Sequence, residues 1–185
     1  MKVLIVIDAQ NEFSANGKRP VPDHLATIET IEKKVNRVRK ERGFIAWIRH
    51  FNKPNESAAF VPGTWGAQFV GSLGPQAGSE REVEFIKDVY GAFTGTEIGS
   101  WLQQIGADEV EITGFYTHGC VSTTSREAIM AGFAVYLDIN GTASCAITHE
   151  VLGDISADEV RRSALLQLAN MGAFVYSSVL AQVAF

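Results

Sequence analysis

Five consecutive β-branched and aliphatic residues, Val3–Ile7, run without a polar break into Asp8. A strand with one wet face alternates polar and apolar side chains. An unbroken run is instead the pattern of a strand covered on both faces, as in a parallel sheet. Parallel strands need crossover connections, and the next segment supplies one. From Leu25 through Ile28, Ile31, Val35 and Val38 the apolar positions fall at steps of three and four, with Lys and Arg between them. This spacing predicts an amphipathic helix of about 18 residues stopped by Gly43. Phe44–Ile48 then reads as the second strand.

The alternation continues along the chain. A strand is predicted near Val83–Ile86, followed by a helix with Ile98, Leu102 and Ile105 on one face and Gly106 at its end. Glu109–Phe115 is strand-like, and Val121–Ala131 can be helical up to Gly132. Ala134–Ile139 is strand-like again. Ser156 and Glu159 form a capping box that opens a helix through about Asn170, and Phe174–Ser177 supplies a last strand. The pattern predicts a Rossmann-like, three-layer α/β/α sandwich around a roughly six-stranded parallel sheet. The chain of 185 residues, with 46% hydrophobic and 20% charged residues, reads as one domain over residues 1–185.

A net charge of -5 disfavours nucleic acid and anionic membranes as general partners, because both attract basic surfaces. A small-molecule substrate is expected instead. The apolar run at the N-terminus is too short for a signal-peptide core or a membrane span, which suggests a cytoplasmic protein. Of the two cysteines, Cys120 and Cys145, neither lies in a CxxC pair, so neither a disulfide scaffold nor a structural zinc site is expected.

In parallel α/β sheets, ligands bind beyond the carboxyl ends of the strands. Asp8, Lys87 and Cys120 each follow a predicted strand, and together they supply a proton acceptor, a positive charge and a nucleophile. A cysteine at a helix start meets backbone N–H groups and the positive end of the helix dipole, both of which favour thiolate. An adjacent ammonium would favour it further. Each residue alone has a plain reading, as turn cap, surface charge and small buried side chain. Their joint placement is what singles them out. Phe13, His50, Trp65 and His118 are expected at a substrate pocket bordered by the loop from Phe51 to Gly63, whereas Cys145 is expected to be structural and Ser122–Ser125 to cap a helix start.

Three segments carry a resemblance: IDAQNEF around Asp8, IKDVYGAFTGTEI around Lys87 and TGFYTHGCVSTTSREAIMAGF around Cys120. From Val3 to about Ser144 the chain resembles the isochorismatase-like cysteine hydrolases. The resemblance implies an Asp8-Lys87-Cys120 catalytic triad, a cis Phe115–Tyr116 peptide, and an oxyanion hole formed by the backbone N–H groups of Tyr116 and Cys120. It implies hydrolysis of a small amide or related C–N bond through a thioester on Cys120, and a homodimer or larger homo-oligomer. Cleavage of a vinyl ether, as by isochorismatases, remains open, as does a non-catalytic ligand-binding or assembly role on the same fold. Nicotinamidases of this family hold a divalent metal with an Asp and two His after the second strand. Here that segment reads Ile48-Arg49-His50-Phe51-Asn52, with Arg49 at a carboxylate position and no further His before His118. No metal and no cofactor are therefore expected. His50 itself reads as a pocket hydrogen-bonder or a strand cap.

Overall fold

The computed structural model describes residues 1–181. Its strands are β1 (Lys2–Ile7), β2 (Phe44–His50), β3 (Glu82–Lys87), β4 (Glu109–Phe115), β5 (Ala134–Ala143), β6 (Ile147–His149), β7 (Gly153–Ile155) and β8 (Phe174–Tyr176). Its helices are α1 (His24–Lys40), α2 (Ile98–Gln104), α3 (Ser122–Met130), α4 (Ala157–Asn170) and α5 (Ser178–Ala181). Six of the strands form a parallel sheet in the order β3-β2-β1-β4-β5-β8, and β6 and β7 pair as a separate antiparallel hairpin. The first three strands build outward to one side. The chain then recrosses to lay β4 against the free side of β1, so the direction of winding reverses between these two strands.

The unbroken apolar run of β1 is explained by its two faces. Val3, Ile5 and Ile7 belong to a core with Ile98 and Leu102 of α2, Ala128 of α3 and Leu165 and Leu168 of α4. Leu4 and Val6 belong to a second core with Ile28, Ile31 and Val35 of α1, together with Trp47 and Phe115. A fully buried Val, Leu or Ile contributes about 1.5–3 kcal/mol, so β1 anchors both layers at once. The capping box is present at α4, where Ser156 Oγ accepts from the Glu159 N–H and Glu159 Oε2 accepts from the Ser156 N–H.

Several boundaries differ from the sequence reading. Arg42, not Gly43, adopts the left-handed conformation after α1, with φ 56°. Gly43 is small for a different reason: a Cβ there would lie 2.8 Å from Val38 Cγ1. The helix expected from Val121 begins at Ser122 and is preceded by a wide turn over Thr117–Val121. Strand β5 continues past Ile139 to Ala143, with a register shift opposite Ile112 and Gly114. The β6–β7 hairpin has no counterpart in the sequence reading. Among the described residues, no helix is long and apolar enough to cross a membrane.

Gly114 lies where β1 and β4 meet at the winding reversal, paired with Ile7. Its φ is 124°, and a Cβ would stand 1.9 Å from the Ile7 carbonyl oxygen. Gly114→Ala is expected to lower the unfolding free energy by roughly 3 kcal/mol or more, through strain and a forced separation of the two strands. Urea denaturation checks this; a loss below about 1 kcal/mol would show that the strand pair gives way easily.

Candidate active site

Across the carboxyl edge of the sheet, four neighbouring strands each deliver one polar residue. Lys87 ends β3, His50 ends β2 directly opposite it in register, Asp8 follows β1, and Cys120 follows β4 through the turn over Thr117–Val121. The strand order thus sets these four residues side by side.

Their common point is the Lys87 ammonium. Nζ lies 2.8 Å from Asp8 Oδ2, 3.1 Å from Cys120 Sγ and 3.1 Å from His50 Nδ1. The Lys87 and Asp8 side chains are 0% and 1% exposed. Asp8 leaves the strand with a left-handed φ of 49°, and its N–H donates to the Ile48 carbonyl at 2.9 Å. A carboxylate oxygen of Asp8 lies within 4.8 Å of Cys120 Sγ. Asp8 Oδ1 is buried and has no hydrogen-bond partner among the described residues. It is therefore an acceptor with free capacity on the carboxylate that approaches the thiol.

Charge in this cluster is decided by burial. Burial opposes the Lys87 cation, but Asp8 and then Cys120 outweigh it and hold its pKa above the ordinary lysine value. Burial also pushes the Cys120 thiol well above its ordinary value, and the Asp8 carboxylate adds to that rise; Lys87 opposes both and does not prevail. The thiolate expected from the sequence is thus not the favoured resting form. Cys120 lies buried inside the turn before α3, where this rise favours the thiol beside an Asp8–Lys87 ion pair.

A cavity of about 590 Å³ opens onto this cluster, with Asp8 and Cys120 at its base. Phe13, Phe60 and Tyr116 form an aromatic wall, His50, Asn52 and His118 add polar atoms, and Arg19, Glu56 and Asp88 carry the charge. Phe13 is fixed by stacking on Phe115 at 5.1 Å and by an edge contact with Tyr116 at 4.8 Å. His118 stacks on Tyr116 at 5.0 Å and lies 3.1 Å from Ser144 Oγ through Nδ1; burial lowers its pKa. The Phe115–Tyr116 peptide between β4 and the turn is cis.

Trp65 stands outside the cavity lining, contrary to expectation. Its carbonyl is pinned by the Asn11 side-chain amide at 3.0 Å, while the residue is 49% exposed. Cys145 also lies outside the lining and is partly buried. Asn52 and Phe60 were missed individually, although both belong to the Phe51–Gly63 loop expected to border the pocket. Phe60 has a left-handed φ of 53° that residue type alone does not reveal.

The donors Asp8, His50 and Cys120 lie close enough together to raise the question of a metal. All three already face the Lys87 ammonium, which stands at their point of convergence, so a divalent cation would meet a like charge there. The donor set as arranged does not fit a resident metal. Arg49, at the position where a carboxylate ligand would stand, donates to Glu84 Oε1 at 2.7 Å through Nε and does not line the cavity. Successive strand residues point to opposite faces, and His50 takes the side of the site.

A family profile described as the isochorismatase domain matches residues 2–178. The nicotinamidase/pyrazinamidase of Mycobacterium tuberculosis is 30% identical over 191 residues, covering 91% of this chain and 98% of that protein. Nicotinamidase 3 of Arabidopsis thaliana is 30% identical over 152 residues, covering 76% of this chain and 72% of that protein. Among solved structures, an isochorismatase from Pseudomonas putida superimposes with a TM-score of 0.88 at 26% identity, covering 97% of this chain and 89% of that one.

The thiol state is open to measurement. The iodoacetamide alkylation rate of Cys120, followed against pH in the free protein, is expected to have its midpoint above the ordinary thiol value of about 8.5. Asp8→Asn should move that midpoint down, because removing the carboxylate leaves Lys87 unopposed. A midpoint below about 7 in the unaltered protein would show a resting thiolate.

Proposed function

Because this chain belongs to the isochorismatase domain family, we propose that it is a cysteine hydrolase cleaving a small amide or related C–N bond at Cys120. The observation that carries this reading is a buried Asp8 that has one oxygen without a hydrogen-bond partner, pairs through the other with Lys87, and approaches the buried Cys120 thiol with its carboxylate. A neutral thiol next to an unused carboxylate oxygen is poised to lose its proton as it attacks. Nicotinamidase relatives favour an amide over a vinyl ether as substrate. The cavity volume of about 590 Å³ suits a small molecule.

In the first half-reaction Sγ bonds to the substrate carbonyl carbon as the thiol proton passes to Asp8. The negative charge on the carbonyl oxygen is met by the backbone N–H groups of Tyr116 and Cys120. Asp8 returns the proton to the leaving nitrogen, the C–N bond breaks, and an amine or ammonia departs from a thioester. In the second half, Asp8 takes a proton from water, the resulting hydroxide attacks the thioester, and the carboxylic acid leaves as Cys120 regains its proton. Lys87 stays charged throughout. It steadies Asp8 when that residue is ionised and the sulfur whenever it carries negative charge. No metal takes part in these steps.

Cys120→Ser is expected to lower ammonia release from a panel of small primary amides by about a thousandfold or more while leaving the fold intact. Activity within tenfold of the parent would exclude the covalent route. Prolonged dialysis against a chelator should leave the rate unchanged, and a loss reversed by zinc, iron or manganese would show a metal requirement. Pyruvate released from isochorismate, with no ammonia from any amide, would transfer the reading to vinyl-ether cleavage.

A further inference from the structure

The steps above use two contacts of the Lys87 ammonium, to Asp8 and Cys120. The third goes to His50. We propose that His50, held as its Nε2–H tautomer by Asn52 and fixed through its backbone by Gln10, is a positioning residue that aims Lys87 at the reacting pair. This rests on the cysteine-hydrolase reading of the site.

The tautomer follows from donor counting. An ammonium has three N–H donors and no acceptor. The 3.1 Å contact between Lys87 Nζ and His50 Nδ1 therefore makes Nδ1 the acceptor, with its lone pair toward lysine. A neutral imidazole with a bare Nδ1 carries its proton on Nε2, which lies 2.8 Å from Asn52 Oδ1. The orientation of the Asn52 amide has an independent witness: its Nδ2 donates to the Ala59 carbonyl at 2.9 Å. Every link from Ala59 to Lys87 thus sets a donor against an acceptor. The opposite tautomer would face N–H against N–H at one end and lone pair against oxygen at the other. A protonated ring would set two cations against each other.

The ring is also held in place. Gln10 is fully buried and bonds both peptide groups of His50: Oε1 accepts from the N–H at 2.8 Å, and Nε2 donates to the carbonyl at 3.0 Å. The second Gln10 amide proton goes to the Ala67 carbonyl at 2.9 Å, which anchors this clamp at a second point of the chain. Phe60 meets the imidazole edge to face at 5.3 Å. Without an acceptor at Nδ1, one N–H of a lysine with no exposed side-chain surface would be unpaired. The ammonium would then turn away from Asp8 or Cys120 to satisfy it. The consequence falls on the chemical step, because those two contacts support proton transfer.

Two measurements on the full chain test this. In long-range 1H–15N NMR spectra at neutral pH, the His50 resonances, identified by their loss in His50→Leu, should show a bare Nδ1 and a protonated Nε2. A protonated Nδ1 would overturn the assignment, and this result does not depend on turnover. With an amide substrate, His50→Leu should lower kcat by about tenfold to a hundredfold with KM changed less than about threefold. His50→Asn, which keeps an oxygen acceptor near the Nδ1 position, should recover most of that loss. A His50→Leu enzyme with raised KM and unchanged kcat would make His50 a substrate contact and refute the positioning role. If no amide is turned over, the hydrolase reading fails separately. The positioning role is then decided by the tautomer and by the Cys120 alkylation midpoint, which should rise in His50→Leu and would refute the role if unmoved.

Discussion

A single ammonium ion removed from water organises this protein's chemistry. Lys87 carries its charge on a side chain with no exposed surface, and a buried cation is tolerated only when its donors are all met by suitable partners. Those partners come from three other stretches of chain, after β1, at the end of β2 and after β4. No local segment could assemble them. The winding reversal between β1 and β4 brings Asp8 and Cys120 to one edge, and the pairing of β3 with β2 sets Lys87 opposite His50.

A second buried lysine stands in a different setting. Lys34 on α1 lies 2.7 Å from Glu111 Oε1 on β4 and 2.8 Å from Asp138 Oδ2 on β5, and it also donates to the Tyr176 hydroxyl. Burial opposes its charge, yet the two carboxylates hold its pKa above the ordinary value. Arg37 adds a further bond to Glu111. Here the positive charges are matched by two carboxylates, so the cluster ties α1 to the sheet. At the edge of the sheet Lys87 meets one carboxylate, the Cys120 sulfur and the His50 ring. One carboxylate oxygen, Asp8 Oδ1, has no hydrogen-bond partner among the described residues.

Much of this was readable along the chain. The run from Val3 to Ile7, the three-four spacing from Leu25 to Val38 and the Ser156–Glu159 box each report a local preference that the tertiary structure kept. The edge on which Asp8, Lys87 and Cys120 meet was legible because strand ends in a parallel sheet share one side. Short elements were not: β6 and β7 have three residues each, too few for a period to emerge. Arg42 was unreadable as a helix stop because its left-handed conformation is imposed by the turn into β2 and not favoured by its side chain.

By itself the sequence determined the alternation of strands and helices, the parallel sheet, and that a carboxylate, an ammonium and a thiol, Asp8, Lys87 and Cys120, each follow a strand. All of these are encoded in residue type and spacing. Only the tertiary structure decided that burial and Asp8 push the Cys120 thiol above its ordinary pKa, that His50 Nδ1 lies 3.1 Å from the Lys87 ammonium, and that Trp65 stands outside the cavity lining. Protonation state depends on the water and charge around a group, and hydrogen-bond direction depends on which atoms face each other. Both are properties of neighbours distant in sequence, and they exist only once the chain has closed around them.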